Sequence, residues 1–287
     1  MRWSSRAALL IAVAAIAGAG LGGCMSKAKR HLYAAEDLFE KRDLKGAKLE
    51  LLEAIKADPD LLDAHKSLAH VDEYLGDEEG AAREYEAASR LDPTDTKLLN
   101  KARYYRQMRE LESAASRALD DIKAGRAEEG LNTLNGIATD TKHKSARDKA
   151  IAALRDAAPM LAQQGDSLNQ AKKYDDAVKN YGLALRAYIT IGQASGKPQL
   201  DPKADAPIRS INAAAAAGGA TDRAFAILND VVAFDPDNKA ANAELAKAYL
   251  ARKPPDYATA ADLMERAGAS EAEVKSLRAR AKRGSGE

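Results

Sequence analysis

The chain has 287 residues, with 44 Lys plus Arg against 43 Asp plus Glu for a formal net charge of +1. Alanine is by far the commonest residue and aromatic residues make up only 5%, which excludes an all-β fold, since strands draw on β-branched and aromatic side chains. Near-neutrality excludes nucleic-acid binding through bulk positive charge, and a single Cys excludes a disulfide framework or a Cys-rich zinc module.

In chain order, residues 1–6 carry Arg2 and Arg6 and no acid, and residues 7–19 are an unbroken run of apolar and small side chains. This is the charged and apolar pattern of a secretory signal, too short for a spanning helix of roughly 20 apolar residues. The run ends in Leu21-Gly22-Gly23-Cys24. Gly18, Gly20 and Gly23 also spell GxGxxG, but that fingerprint requires a strand before it and a helix after it, and here it falls in the segment expected to be removed.

Leu21-Gly22-Gly23-Cys24 resembles the lipobox of bacterial lipoproteins. The resemblance implies cleavage after Gly23, a diacylglycerol thioether on Cys24 as the only covalent group, and attachment to a membrane by two or more acyl chains. Met25, rather than Asp, follows the Cys, which in that family resembles an outer-membrane lipoprotein facing the periplasm.

The next segments repeat themselves. Ala47, Ala54, Asp58 and Pro59 recur as Ala81, Ala88, Asp92 and Pro93, all four at one common displacement. Ala81, Tyr85 and Ala88 step by four and three along one predicted helix face, and Gly76-Asp77 is the predicted turn before it. Period and pattern resemble the tetratricopeptide repeat, whose unit is about 34 residues. The resemblance implies an all-α solenoid of helical hairpins, with Ala47, Ala54, Ala81 and Ala88 as structural residues that let helix backbones close.

Two regular repeats are expected over 28–95, after a lipidated tether at 24–27. Beyond Pro93 the pattern loses its turn, and Leu98, Ala102, Tyr105, Met108, Leu111, Ala115, Ala118 and Ile122 step by threes and fours. These spacings predict one extended central helix from about 96 to 124, a turn at Gly125 and a shorter helix over 127–138, within a degenerate repeat at 96–157. Arg103 falls where the family has a small residue. A further repeat is expected over 158–192, a surface loop over 193–204, two repeats over 205–269, and a capping helix and tail over 270–287, where Val274, Leu277 and Ala281 share one face.

Reactive groups are sparse. His65 and His70 are five apart, about 140° around a helix, so they do not form the paired ligands of a zinc protease. No nucleophile elbow, phosphate-binding GxxxxGK or EF-hand loop occurs. Arg103, Arg106 and Arg109, interleaved with Tyr104 and Tyr105, read as a solvated helix face diluted by Glu110 and Glu112. Catalytic residues, metal ligands and nucleic-acid contacts are therefore not expected.

In the tetratricopeptide family the first helix of each hairpin lines the concave surface. Carried onto this chain, that implies a partner groove of Arg209, Ala213, Ala216, Ala243, Lys247 and Leu250, with Arg209 and Lys247 orienting an acidic group. The expected function is a membrane-anchored scaffold that holds an envelope protein or peptide during assembly of a cell-envelope complex. A pilotin-like role in a type IV pilus or secretin system is a second expectation, resting on a local likeness over Asp63-Ala64-His65, Leu68-Ala69, Gly76 and Asp92-Pro93. A cell-wall enzyme and a plain structural spacer stand as readings of other classes.

Overall fold

The computed structural model describes residues 25–284; the expected signal and Cys24 lie outside the described residues. Thirteen α-helices, one 3-10 turn and no strand occur among the described residues. The chain divides at Ala102 into two compact units.

The first unit holds α1 (Lys27–Glu40), α2 (Leu44–Ala57), α3 (Leu62–Leu75), α4 (Glu78–Leu91) and the start of α5 (Thr96–Lys123). α1 packs on α2 and α3 on α4 as two hairpins. The hairpins are built alike because their caps are alike: Asp43 accepts from the Gly46 amide at 2.9 Å, and one repeat later Asp77 accepts from the Gly80 amide at 2.8 Å. Each cap satisfies one amide that the first helical turn leaves without a partner. Gly76 turns the chain between α3 and α4 at φ 73°, and Arg42 holds the same left-handed position between α1 and α2 at φ 64°. Ala47, Ala54, Ala81 and Ala88 have no exposed surface and allow the helices to approach.

The hairpins also carry polar ties. Lys48 on α2 bridges Asp72 on α3 at 2.7 Å and Asp77 at 2.6 Å. Asp72 is buried, which raises its carboxyl above the ordinary range, while the hydrogen bond from Lys48 pulls the other way. His31 meets Glu50 at 2.6 Å, and His65 meets Glu84 at 2.6 Å, one repeat further on.

The second unit runs from Arg103. It contains the remainder of α5, then α6 (Ala127–Ala138), α7 (Lys144–Gln170), α8 (Tyr174–Ala194), a 3-10 turn at Pro202–Ala204, α9 (Asp205–Gly218), α10 (Thr221–Phe234), α11 (Lys239–Ala251), α12 (Tyr257–Ala267) and α13 (Glu271–Gly284). α7 and α8 form an extensive helix pair. A side chain on Gly165 would meet the Tyr181 ring at 2.6 Å, so only glycine admits that ring there. The Tyr181 hydroxyl donates to Asp166 at 2.8 Å, and burial, followed by that carboxylate, pushes its pKa up to about 12. α13 closes the end: Val274 and Leu277 join Ala261 in a small apolar cluster.

Two expected boundaries differ from the structure. The division at 157/158 falls inside α7, which continues through Pro159. Proline forfeits a hydrogen bond and usually breaks a helix, but Ala157, Ala158 and Leu161 around it are fully buried and packing carries the helix across. The segment 193–204 is largely exposed, as expected of a surface loop, but its first two residues belong to a helix and it is pinned at two buried positions. α8 extends to Ala194, Leu200 and Ala204 are buried, and the Leu200 amide donates to the buried Asp235 carboxylate at 3.0 Å. Arg103 is exposed, and the close packing expected of its position is met by Ala102 beside it, 3% exposed.

Candidate functional site

Within the second unit, α9 and α11 flank a groove of about 800 Å³. α9 reaches it with Arg209, Asn212, Ala213 and Ala216, because these residues step by threes and fours along one stripe. Their neighbours Ala214 and Ala215 point inward and are buried. α11 contributes Glu244, Lys247, Ala248 and Ala251, and the N-terminus of α10 adds Thr221, Asp222 and Phe225. The far end is closed by Arg252, Lys253, Pro254 and Asp256. Methyl groups form much of the two walls, which is why the space between the helices stays open.

Of the six residues expected in the groove, Arg209, Ala213, Ala216 and Lys247 line it and Ala243 and Leu250 do not. Ala243 and Leu250 are seven apart and share a stripe of α11 displaced by one residue, or about 100°, from Glu244 and Ala251. Leu250 instead packs against the α12–α13 apolar cluster with Tyr257 and Met264.

The polar groups of the groove are organised around the buried Glu244. Asn212 donates to its side chain at 3.0 Å and to its carbonyl at 2.6 Å, and Lys247 bridges its other oxygen at 2.6 Å. Lys247 thus ties the α11 wall together, while Arg209 pairs with Asp205 at 3.3 Å within α9. Two further cations, Arg252 and Lys253, are missed by the sequence reading. Arg252 lies 4.6 Å from the Phe225 ring centroid and 5.7 Å from that of Tyr249, and the two rings meet edge to face at 4.9 Å. Its guanidinium is held by stacking at the groove's end. The signal that could have found them is position: the Arg252-Lys253 pair precedes Pro254-Pro255, which stops α11 and projects them from its end.

A second cavity of about 990 Å³ lies among α6, α8 and α10. Its cations serve inter-helix ties, Lys179 to Glu128 at 3.3 Å, Arg186 to Asn132 at 2.8 Å and Arg223 to Asp175 at 2.9 Å. Among the described residues, no three His, Cys, Asp or Glu side chains converge as a metal site, and no helix is long and apolar enough to cross a membrane.

What decides the fold is the recurrence of α1–α2 as α3–α4, with matching caps and the same buried alanines one repeat on. The fold is tetratricopeptide-like. No protein family and no curated protein matches the chain in sequence. Among solved structures it is similar to pilF of Pseudomonas aeruginosa at 15% identity, covering 90% of this chain and 83% of that one with a TM-score of 0.29. It is similar to the TPR2AB domain of yeast Sti1, solved as a complex with pHSP90, at 18% identity over 89% and 98% of the two chains with a TM-score of 0.40. The P58(IPK) TPR domain matches at 15% identity over 89% and 97%, with a TM-score of 0.28. The likeness concerns the fold alone.

Proposed function

We propose that this chain is a lipid-anchored scaffold of the bacterial cell envelope, attached through Cys24 to the periplasmic side of the outer membrane, that takes a segment of an envelope protein between α9 and α11 while a complex is assembled. The observation that carries the binding reading is the Ala-walled groove, with Ala213, Ala216, Ala248 and Ala251 leaving room and Arg252 and Lys253 at one end. Such a space suits a helix or extended strand whose apolar side chains lie over the alanines, with an acidic group fixed by the terminal cations. Lys247 and Glu244 keep the wall in shape, so their pairing favours recognition over chemistry: both charges are committed to each other, and Glu244 also to Asn212. The reading is one of binding, not of catalysis.

Anchoring rests on the lipobox and the charged-apolar signal before it. The test is recovery of envelope partners on the full chain with Ala213→Arg or Ala216→Arg. Both positions are exposed, so helicity should be retained while the groove is filled. Loss of one defined partner from both variants supports the groove, and undiminished recovery from both rejects it.

A further inference from the structure

α2 carries two leucines on the face turned away from its hairpin. Leu49 is 66% exposed and Leu52 44%, and with Lys45 and Lys56 they step by four, three and four along one stripe. That stripe lies opposite Ala47, Leu51 and Ala54, the residues that α2 buries. The next repeat supplies an internal control: one period on, at the same four places of α4, stand Glu79, Arg83, Glu86 and Arg90. α3 and α4 thus form the same hairpin with a fully charged stripe, and packing does not call for Leu49 and Leu52.

The stripe sits beside the expected attachment point. α1 begins at Lys27, with only Met25 and Ser26 between it and Cys24, a reach of at most about 10 Å. The His31–Glu50 contact sets α1 against α2 so that the first turn of α1 lies beside the last two turns of α2. That end of the hairpin is cationic. Lys27, Lys29 and Arg30 are exposed and make no ion pair among the described residues, and no carboxylate occurs between Cys24 and Glu36. Lys45 is exposed, while Lys56 meets Glu53 at 3.3 Å. Leucines on a helix face with a lysine one turn to either side match the boundary between headgroups and acyl chains. Apolar side chains enter there, and lysine stems carry their ammonium groups back to the water.

We propose that the Lys45–Lys56 stripe of α2 lies on a phospholipid surface, with Leu49 and Leu52 entering the acyl boundary and Lys27, Lys29, Arg30 and Lys45 against anionic headgroups. Its placement rests on the proposed acylation of Cys24, but the contact belongs to α1 and α2 and is testable without the lipid. Two leucines and a few cations give a weak attachment that salt screens, so the face orients the chain on the membrane and the acyl chains anchor it. A second copy of the chain is the competing occupant of an exposed leucine pair, but the excess of cations at this end disfavours it.

The experiment uses the expected mature chain from residue 24 on with Cys24→Ser, which carries neither lipid nor Trp, the one Trp being Trp3. Leu49→Trp then reports on the α2 stripe, and Arg83→Trp on the matching place of α4. With phosphatidylcholine vesicles containing phosphatidylglycerol, the Leu49→Trp emission should shift to the blue and the Arg83→Trp emission should not. In flotation with the same vesicles, Leu49→Ser/Leu52→Ser should lower partition by about tenfold or more, and Lys27→Gln/Lys29→Gln by about tenfold. Helicity should be unchanged in both, because all four side chains are exposed. No shift at position 49, equal shifts at 49 and 83, or flotation indifferent to the leucine pair overturns the proposal. So does a blue shift at 49 that needs no vesicles and grows with protein concentration, together with a dimer in sedimentation equilibrium. The anchor is judged separately, by fractionation of the full chain with Cys24→Ala, so either can fail alone.

Discussion

His65 shows how a single residue carries both architecture and pH sensitivity. Its Nδ1 faces Glu84 at 2.6 Å and its Nε2 faces the Pro59 carbonyl at 2.9 Å, so both nitrogens must donate and the imidazolium is the form that satisfies the site. The Glu84 hydrogen bond raises its pKa first, burial opposes, and the Pro59 carbonyl adds to the rise. A folded-state pKa above the unfolded value of about 6.5 contributes stability that is complete below about pH 6.5 and is lost as pH rises through the folded value. The contribution of a charged hydrogen bond of this kind is about 1 to 2 kcal/mol. Thermal unfolding of the wild type and His65→Gln should therefore differ most at pH 6 and converge toward pH 9; a constant difference would contradict the assignment. The His31–Glu50 pair recurs as His65–Glu84 one repeat later. That signal is present in the sequence but masked by the five-residue spacing of His65 and His70, which draws attention to metal geometry instead.

Lys48 and Asp72 make a second residue-scale case. Asp72 is 2% exposed, and the equivalent place in the first repeat is Leu38. Removing only the cation leaves a buried charge alone, so Lys48→Met should destabilise by about 2 to 4 kcal/mol, tempered by the partial solvation of Lys48. Lys48→Met/Asp72→Leu should recover most of that loss, because an apolar pair of similar volume avoids the desolvation cost. Urea denaturation of the two variants decides it, and equal destabilisation of single and double variants would count against this explanation.

At the scale of the helical element, turns and close packing govern. Arg42 and Lys172 occupy left-handed conformations at φ 64° and 60°, where glycine serves in the turns at Gly76, Gly125 and Gly219. The steric cost is about 1 to 2 kcal/mol, partly offset by glycine's greater unfolded-state entropy. Arg42→Gly should stabilise by about 0.5 to 1 kcal/mol, read as a rise in Tm. Ala81, fully buried against its hairpin partner, tolerates no added volume, and Ala81→Leu should cost about 1 to 3 kcal/mol. Should Ala81→Leu instead abolish partner binding at unchanged Tm, Ala81 would be a contact residue rather than a packing one.

The elements also show where sequence patterns inform and where they mislead. The regular hairpins are legible because small residues and Asp-Pro turns recur at one period and nothing interrupts them. The central helix is legible because its apolar steps run from Leu98 to Ile122 without a breaker, and α5 spans Thr96–Lys123. In α7, the repeat boundary expected at 157/158 falls within a helix that tertiary burial on both sides of Pro159 sustains. In the groove, the α9 stripe follows from its spacing, but the spacing puts the α11 stripe partly out of phase. Ala dominates Lys239–Ala251, and two of its polar residues, Asn242 and Glu244, are buried, so its periodicity is too weak to fix which face looks outward.

At the scale of the whole molecule, exposed aromatic rings lie on α1 and α3 of the first unit, and guanidinium and ammonium groups lie at the end of the α9–α11 groove of the second. Attachment belongs to the same scale. If Cys24 carries the lipid, Cys24→Ala should move the chain from the membrane fraction to the soluble fraction after a high-salt wash, and full retention would reject the anchor. The most direct test of a partner-binding groove is site-specific photocrosslinking in the bacterial envelope, with a benzoylphenylalanine at Ala213 in the groove and, as a control, at the exposed Ala226 on α10. One discrete protein adduct is expected from position 213, together with its loss when Ala216→Arg is added and no such adduct from position 226. Equal labelling from both positions, or an adduct from 213 that survives Ala216→Arg, would contradict binding in the groove.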